Sequence, residues 1–375
     1  LWSKVEVGSD PRMIGKRVAC SAMILVTILG SVLMACSRDK PGKTVPAGAK
    51  AGDMTLEPCA FETASGRYNA DRGTLIVPES WDKAASRLIA LPVMRVRAIV
   101  AKPAEPVFYL AGGPGQSNMS FKPPRDLLAN HDVVLVGYRG VDGSIVLDCP
   151  EVRRAMKGVG DDLLGPPSLT NLGRAFRQCA ARLQAEGIDL NAYTMLDVVR
   201  DLEAARASLG YGRVNLLSES YGTRIAQIYA YQHPDSIYRS AMIGVNPPGR
   251  FVWEPDTIDR QVEYYARLCA QDPGCSARTS DLAQTMRNVA HNMPRRWLFL
   301  PIDAGKVKVI AFALLFNRTT AALVFDAYIA AEQGDSSGLA LMSLAYDFVF
   351  PSRVTWGDLA AKAASADYDR TRDYA

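Results

Sequence analysis

The chain has 375 residues, of which 48% are hydrophobic and 22% are charged, and 43 basic against 39 acidic side chains give a formal charge of +4. This length suits one large domain or two ordinary ones, and the composition excludes a collagen, a coiled coil and a multi-span membrane protein. The near balance of charges argues against nucleic acid as a partner.

An export signal is predicted at the N-terminus. Lys16 and Arg17 precede an uncharged stretch over residues 18–35, and polar residues resume after Cys36. By length alone the stretch could be one membrane span, but a basic region, an apolar region and small residues at the end are typical of a secretory signal. The last four residues, Leu33-Met34-Ala35-Cys36, resemble a bacterial lipoprotein signal, which implies that Cys36 is lipidated and begins the mature protein.

Two segments flank this predicted signal. Residues 1–12 precede Met13, the natural start of such a signal, and we interpret them as not native. Residues 36–55 are rich in Gly, Pro, Ala and Lys, a composition that predicts a flexible tether. We therefore expect an exported protein, held by lipid in a bacterial cell envelope and facing the periplasm.

Five cysteines follow the signal, and an oxidising compartment makes them candidates for disulfides. Cys269 and Cys275 could close a short loop, and Cys149 with Cys179 is a candidate second pair that leaves Cys59 odd. Spacing does not fix the connectivity, and a buried free thiol is the alternative for each of them.

An alternation of strands and helices is predicted from residue 73 to residue 245. Short β-branched apolar runs indicate strands that are buried on both faces. A helix is predicted between them from its apolar spacing of three and four residues and from a capping pattern at Thr194 and Asp197. The predicted strands are 73–78, 87–100, 106–110, 132–136, 214–217 and 240–245, and the predicted helices are 195–209 and 222–231. This order predicts a doubly wound α/β sheet.

The character of the sequence changes after Pro247. Residues 254–375 are rich in Ala and aromatic residues and mostly helical in pattern, with one helical stretch predicted over 312–331. We expect a core over residues 56–250 and a separate helical subdomain over residues 251–375.

A candidate nucleophile lies in Ser218-Glu219-Ser220-Tyr221-Gly222, between a predicted strand and a predicted helix. A sharp strand-to-helix turn exposes and positions the hydroxyl of its central serine, here Ser220. Small residues two positions to either side let the turn pack. The alternative is that the serine only caps the helix.

A candidate oxyanion loop, Ala111-Gly112-Gly113-Pro114-Gly115, directly follows the strand 106–110. Glycines let backbone N–H groups approach the oxyanion of a tetrahedral intermediate. We expect one donor from Gly112–Gly113 and one from Tyr221, at neighbouring strand ends of one sheet. The alternative is an ordinary Gly-Pro loop.

In four segments the chain resembles α/β-hydrolase serine peptidases of the proline iminopeptidase and tripeptidyl aminopeptidase type. The segments are FYLAGGPGQS (108–117), DVVLVGYRG (132–140), YTMLDVVRDLEAARASLGY (193–211) and VNLLSESYGTRIAQIYA (214–230). The resemblance implies an exopeptidase acting on peptide N-termini, with a helical cap, Ser220 as nucleophile, and Gly113 and Tyr221 at oxyanion positions. The departures are Ala111, where many members have His, and Ser218, where many have Gly.

The base and the acid of a serine triad have no clear candidates. The fold order is Ser, then Asp or Glu, then His, on loops after later strands. We interpret His131, His233 and His291 as surface or structural residues, and the sequence singles out none of the later acids Asp326, Asp335, Asp358 and Asp367. We expect the catalytic Asp and His beyond residue 375, and this chain alone to be inactive.

Recognition of a substrate amine needs a carboxylate. Glu219 is a candidate, with a structural role under the turn as the alternative, and Glu254, Glu263 and Glu332 are further candidates. We expect peptide substrates and neither a metal nor an organic cofactor, and the oligomeric state stays open. An esterase or amidase of the same fold and a non-catalytic envelope binding protein are the alternative functions.

Overall fold

Residues 44–157, 162–249, 255–366 and Thr371 are described here from a computed structural model of the chain. The predicted signal with Cys36, the first part of the predicted tether (residues 36–43), and Glu254 and Asp367 lie outside these residues. Within the described part of the chain, no helix has both the length and the hydropathy needed to cross a bilayer.

A seven-stranded mixed sheet in the order β1-β2-β3-β5-β4-β6-β7 forms the centre of the structure. Its strands are β1 (Met54–Thr63), β2 (Gly66–Pro78), β3 (Leu88–Val96), β4 (Ala104–Leu110), β5 (His131–Val136), β6 (Val214–Glu219) and β7 (Ile237–Ile243). The pairs β1–β2, β2–β3 and β3–β5 are antiparallel, whereas β5–β4, β4–β6 and β6–β7 are parallel. The predicted α/β sheet is confirmed, with β1 and the first half of β2 added to it.

The middle strands are buried on both faces, which explains why their sequences lack alternation. In β5, Val134 and Val136 join one apolar cluster, and Val133 and Leu135 join another on the opposite face. Successive strand residues point to opposite faces, so each cluster takes alternate residues. The larger cluster also receives the apolar faces of two helices that pack on the sheet.

Twelve α-helices of the described residues are numbered here in chain order. They are α1 (Arg125–Leu128), α2 (Pro150–Met156), α3 (Pro166–Ala185), α4 (Met195–Ser208), α5 (Tyr221–Gln232), α6 (Pro255–Gln271), α7 (Pro273–Ser276), α8 (Leu282–His291), α9 (Ala304–Leu314), α10 (Arg318–Glu332), α11 (Ser337–Val349) and α12 (Trp356–Ala366). The capping box of α4 is confirmed: the Thr194 hydroxyl accepts the Asp197 N–H, and the Asp197 carboxylate accepts the Thr194 N–H.

Two features of the C-terminal segment differ from the prediction. The single helix predicted over 312–331 is two helices, because α9 ends at Leu314 and the Asn317 side chain caps α10 by accepting the Thr319 N–H. A short hairpin, β8 (Arg296–Trp297) with β9 (Leu300–Pro301), also interrupts the helices.

The two candidate disulfide pairs are both present in the structure. Cys149, at the start of α2, is bonded to Cys179 of α3, and Cys269 of α6 is bonded to Cys275 of α7. Cys59 is a free, half-buried thiol. The first bond lies in an apolar cluster that joins α2 and α3 to α9, α10, α11 and α12.

Candidate active site

Ser220 occupies a sharp turn between β6 and α5. Its backbone angles are φ 49° and ψ −116°, a left-handed conformation that side-chain-bearing residues rarely adopt. Its N–H donates to the Ile243 carbonyl (2.9 Å), and its carbonyl accepts the Thr223 N–H (2.9 Å). Its side chain makes no capping hydrogen bond, so the N-cap alternative does not describe this serine. Such strain, held by the surrounding structure, is a feature of functional sites.

The residues two positions from Ser220 let the turn pack. A Cβ at Gly222 would lie 2.1 Å from the Leu110 carbonyl oxygen, so α5 can cross β4 only with glycine there. Ser218, at the position where the family prefers Gly, is buried, and its hydroxyl donates to the Ala241 carbonyl of β7 (3.2 Å). The turn accommodates Ser218 because this hydroxyl has a partner.

The glycine loop after β4 lies directly against Ser220. Strands β4 and β6 are neighbours, with Leu110 opposite Ser218, and a Cβ at Gly112 would be 3.4 Å from the Ser220 Cβ and 3.9 Å from its Oγ. Gly113 has φ 135° and is joined to Pro114 by a cis peptide bond. The structure thus brings together the two motifs that the sequence placed at neighbouring strand ends.

The N–H groups available in this loop can be identified by elimination. Ala111 donates its N–H to the Asn118 Oδ1 (2.7 Å), and Gly115 donates its N–H to the Asp358 Oδ2 (3.1 Å). Pro114 has no N–H. Gly112 and Gly113 make no such hydrogen bond within the described residues, so their N–H groups can serve an oxyanion. Whether Gly113 and Tyr221 act as the donors stays a prediction.

Tyr221 begins α5, the end of the helix at which the helix dipole favours negative charge. Its ring is buried and packs edge-on against Tyr138, with 6.0 Å between the ring centroids. This packing holds the first turn of α5 beside the glycine loop.

Three side chains that the sequence analysis did not single out fix the loop from below. The buried Asn118 amide donates to the carbonyls of Tyr109 (3.0 Å) and Val136 (2.8 Å). The Tyr138 hydroxyl donates to the Ala111 carbonyl (3.2 Å), and burial raises its pKa well above the ordinary value. The Asp142 carboxylate accepts the N–H groups of Asn118 and Tyr138. A polar side chain three residues after a glycine loop was the available signal for Asn118.

Glu219 lies at the rim of the site, exposed to solvent. The Tyr109 hydroxyl donates to its Oε2 (3.2 Å), and the Tyr109 ring is stacked on Phe121 with 3.9 Å between centroids. Burial, and secondly the Glu219 carboxylate, raises the pKa of Tyr109 to about 12. Tyr109 therefore stays a neutral donor that holds Glu219 beside Ser220.

The other acids considered for amine binding are engaged elsewhere. Glu263 pairs with Arg287 (3.2 Å). Glu332 accepts hydrogen bonds from Thr285 and Asn288, and the Thr285 hydroxyl is the main cause of its lowered pKa. Both sets of contacts lie within the helical segment.

The three histidines of the chain are all described, and none is hydrogen-bonded to Ser220. His131 begins β5, parallel to β4 and β6, so it lies at the edge opposite the carboxyl end that carries Ser220; its Nδ1 contacts the Glu105 carbonyl oxygen (2.7 Å). His233 follows the last residue of α5, about 18 Å along the helix from Ser220. His291 is the exposed last residue of α8.

The later acids have other partners. Asp326 pairs with Arg278, and Asp335 accepts the Ser337 N–H (2.9 Å). Asp358 is fully buried beside the glycine loop, a position that no local pattern in the sequence predicts. Within the described ranges, no three His, Cys, Asp or Glu side chains are grouped as a metal site.

A serine on a strained strand-to-helix turn, next to a glycine loop on the neighbouring strand of a mixed sheet, defines a hydrolase of the α/β class. The chain belongs to the α/β hydrolase fold family, whose sequence pattern matches residues 105–304.

Relatives within this family are serine peptidases. The chain is 27% identical over 252 residues to the tripeptidyl aminopeptidase of Streptomyces lividans. This alignment covers 62% of this chain and 46% of the relative. The chain is also 27% identical over 271 residues to the serine protease Hip1 of Mycobacterium tuberculosis, which covers 65% of this chain and 50% of the relative. The chain thus spans about half the length of the curated relatives it matches.

Solved structures give a weaker similarity. The juvenile hormone epoxide hydrolase of the silkworm Bombyx mori is 12% identical, with a TM-score of 0.29 over 79% of this chain and 61% of that one.

Proposed function

We propose that the protein is a serine exopeptidase that hydrolyses peptide bonds near substrate N-termini through an acyl-enzyme on Ser220. The observation that carries this proposal is the strained turn at Ser220 with Gly112 against its hydroxyl. The names of the peptidase relatives support the substrate class.

The reaction follows from the groups at the turn. Ser220 Oγ attacks the carbonyl carbon of the scissile peptide bond, and a general base takes its proton. The carbonyl oxygen becomes an oxyanion that accepts hydrogen bonds from the N–H groups of Gly113 and Tyr221. The base returns the proton to the leaving amine as the C–N bond breaks, and water then hydrolyses the acyl ester and restores Ser220.

The base itself is the remaining part of the proposal. His131 and His233 lie far from Ser220, and His291 is an exposed helix end. We propose that a catalytic Asp and His beyond residue 375 complete the triad, and that the 375-residue chain is inactive by itself.

Glu219 supplies the proposed recognition of a free N-terminus. A carboxylate at the rim, held by the neutral Tyr109 hydroxyl, can pair with a substrate ammonium group. This contact would distinguish an aminopeptidase from an esterase or amidase of the same fold.

The proposed location is a bacterial envelope with a lipid on Cys36, supported by the lipoprotein-like Leu33-Met34-Ala35-Cys36. Cells that express the protein and its Cys36→Ser variant with radiolabelled palmitate test it. Label on both proteins, or on neither, would contradict the lipid anchor.

The activity is tested with the natural full-length protein, with Ser220→Ala as the control. Tripeptidyl p-nitroanilides with free or acetylated N-termini are compared with p-nitrophenyl esters. We expect hydrolysis of the free peptides, loss of it in Ser220→Ala, and a drop in Glu219→Gln that is larger for free than for acetylated substrates. Esters cleaved in preference to all peptides would favour an esterase, and no turnover by any substrate would favour a binding protein.

A further inference from the structure

We propose that Asp358 of α12, paired with Lys362, is a positioning residue that holds the glycine loop in its oxyanion-binding conformation. The inference rests on the proposed function and adds to it a role for the last described helix. Asp358 does not touch the reacting atoms and acts through the backbone of the loop.

Two hydrogen bonds join α12 to Gly115. The Gly115 N–H donates to the Asp358 Oδ2 (3.1 Å), and the Gly115 carbonyl accepts the Thr355 N–H (2.8 Å). Both backbone groups of one loop residue are therefore occupied, one by α12 itself and one by the residue that precedes it. This residue is separated from Asp358 by 243 positions in the sequence.

The approach of α12 is close enough to require glycine at three positions. A Cβ at Gly115 would lie 2.6 Å from the Val354 Cγ1, one at Gly140 would lie 2.5 Å from the Asp358 Oδ1, and one at Gly357 would lie 2.4 Å from the Leu147 carbonyl oxygen. Gly115 and Gly140 also have positive φ angles of 82° and 81°. The contact is thus built from both sides.

The ion pair is buried without exposure to solvent. Lys362 pairs with the Asp358 Oδ1, and its ammonium also donates to the Arg139 carbonyl (3.2 Å). Arg139 in turn binds the Asp201 carboxylate through two nitrogens (2.6 Å each) and the Glu79 carbonyl (2.6 Å). The chain of contacts runs from the glycine loop through α12 to α4 and the end of β2.

A buried ion pair is a poor way to stabilise a fold. Burial raises the pKa of Asp358 and lowers that of Lys362, so each charge is held against its desolvation by the other. Apolar residues of similar volume often serve stability equally well at such positions. A geometric role explains why a charged pair is present here. An apolar side chain at position 358 could not accept the Gly115 N–H, whereas the Asp358 carboxylate does.

Fixing Gly115 limits which N–H groups of the loop are left for an oxyanion. Ala111 is tied to Asn118, Gly115 is tied to Asp358 and Pro114 lacks an N–H. Among the described residues, the loop donors without such a partner are therefore the N–H groups of Gly112 and Gly113. A glycine-rich loop without these ties could rotate its peptide groups at little energetic cost.

Two double variants without a buried charge separate the hydrogen bond from the ion pair. Asp358→Asn/Lys362→Met keeps an acceptor for the Gly115 N–H, and Asp358→Leu/Lys362→Met removes it with a side chain of the same branching and number of heavy atoms. In the natural full-length enzyme we expect kcat to fall about 100-fold in the Leu variant and less than about 3-fold in the Asn variant, with KM changed little in both. Equal kcat values in two folded variants would overturn the proposal.

A measurement on the unaltered 375-residue chain needs neither activity nor a stable variant. Amide hydrogen exchange resolved to single residues should show a protected Gly115 N–H and a rapidly exchanging Gly113 N–H. Equally fast exchange at both would overturn the proposal. If Ser220 of the natural full-length protein proves unreactive while Gly115 is protected, the proposed function fails and the loop contact stands.

Discussion

Gly112 and Gly222 both lie close to Ser220, but a methyl group added at Gly112 would affect mainly the reaction, and one added at Gly222 would affect mainly the stability of the fold. At Gly112 the added carbon meets the Ser220 Cβ at 3.4 Å, whereas at Gly222 it meets the Leu110 carbonyl oxygen at 2.1 Å. We expect Gly112→Ala to change the free energy of unfolding by less than about 1 kcal/mol and to slow acylation of Ser220 about 10- to 100-fold by crowding the substrate carbonyl.

Gly222→Ala is the matched comparison. Its Cβ must push α5 from β4, so we expect a loss of about 3 kcal/mol in the free energy of unfolding. Urea denaturation of both variants measures this difference. An unchanged midpoint for Gly222→Ala would show that the strand and helix can separate without cost.

Asp71 gives a pH prediction at the same scale. Its buried carboxylate accepts hydrogen bonds from Arg95 (2.8 Å) and Arg97 (2.6 and 2.8 Å), and the Arg97 bond chiefly lowers its pKa below the ordinary 3.8. A carboxyl group with a lowered pKa in the folded state adds stability above its unfolded pKa and loses it as the pH falls through the folded pKa.

The variant Asp71→Asn should therefore be less stable than the unaltered protein at pH 7. The difference should stay constant down to about pH 5 and shrink progressively below about pH 4. Thermal unfolding of both proteins from pH 7 to pH 3 measures it. A difference that grows on acidification would contradict the assigned ion pairs.

At the scale of elements, the two disulfides close loops of very different length. Cys149–Cys179 spans 30 residues and Cys269–Cys275 spans 6. Loop-closure entropy predicts a loss of about 3.5 kcal/mol when the first bond is removed and about 2 kcal/mol when the second is removed. Denaturation of the two Cys→Ala double variants, measured under the same oxidising conditions, tests this order, and a larger loss from the short loop would contradict it.

The elements found from sequence are those whose pattern is carried by residues close together in the chain. Strands β4, β5 and β6 and helix α4 carry their pattern locally, as continuous apolar runs or as a capping box. Strand β1 was missed because most of its side chains are exposed or half-buried, and its position depends on pairing with β2.

The candidate site likewise has parts that the local sequence reveals and a part that only the tertiary structure reveals. Ser220 and the glycine loop are recognisable because the turn and the loop are each encoded within five residues. Asp358 was invisible because its partner Gly115 is 243 residues away, and an Asp–Lys pair at a spacing of four on a helix is more often a surface pair. Only the tertiary structure shows that this pair is buried.

At the scale of the molecule, two of the three histidines lie far from Ser220. Because β4, β5 and β6 are parallel, their carboxyl ends share one edge, and His131 lies at the other. His233 is a helix length away from Ser220. The sheet direction therefore excludes His131, and the length of α5 excludes His233, as a partner of Ser220.

The triple variant His131→Asn/His233→Asn/His291→Asn tests this arrangement. We expect its Ser220 to react with a fluorophosphonate probe as slowly as that of the unaltered 375-residue chain, with Ser220→Ala as the blank. Mass spectrometry of the labelled peptide gives the rate. A clear loss of labelling would mean that one of these histidines serves as the base, and single variants would then identify it.

The backbone angle of Ser220 also sets a trade-off between activity and stability. At φ 49° every residue with a Cβ is strained, and only glycine adopts this backbone conformation without strain. Ser220→Gly should consequently be about 1 kcal/mol more stable than Ser220→Ala, although both lack the hydroxyl. A selection for thermal tolerance alone would then favour glycine at this position, although glycine lacks the hydroxyl that the proposed reaction requires.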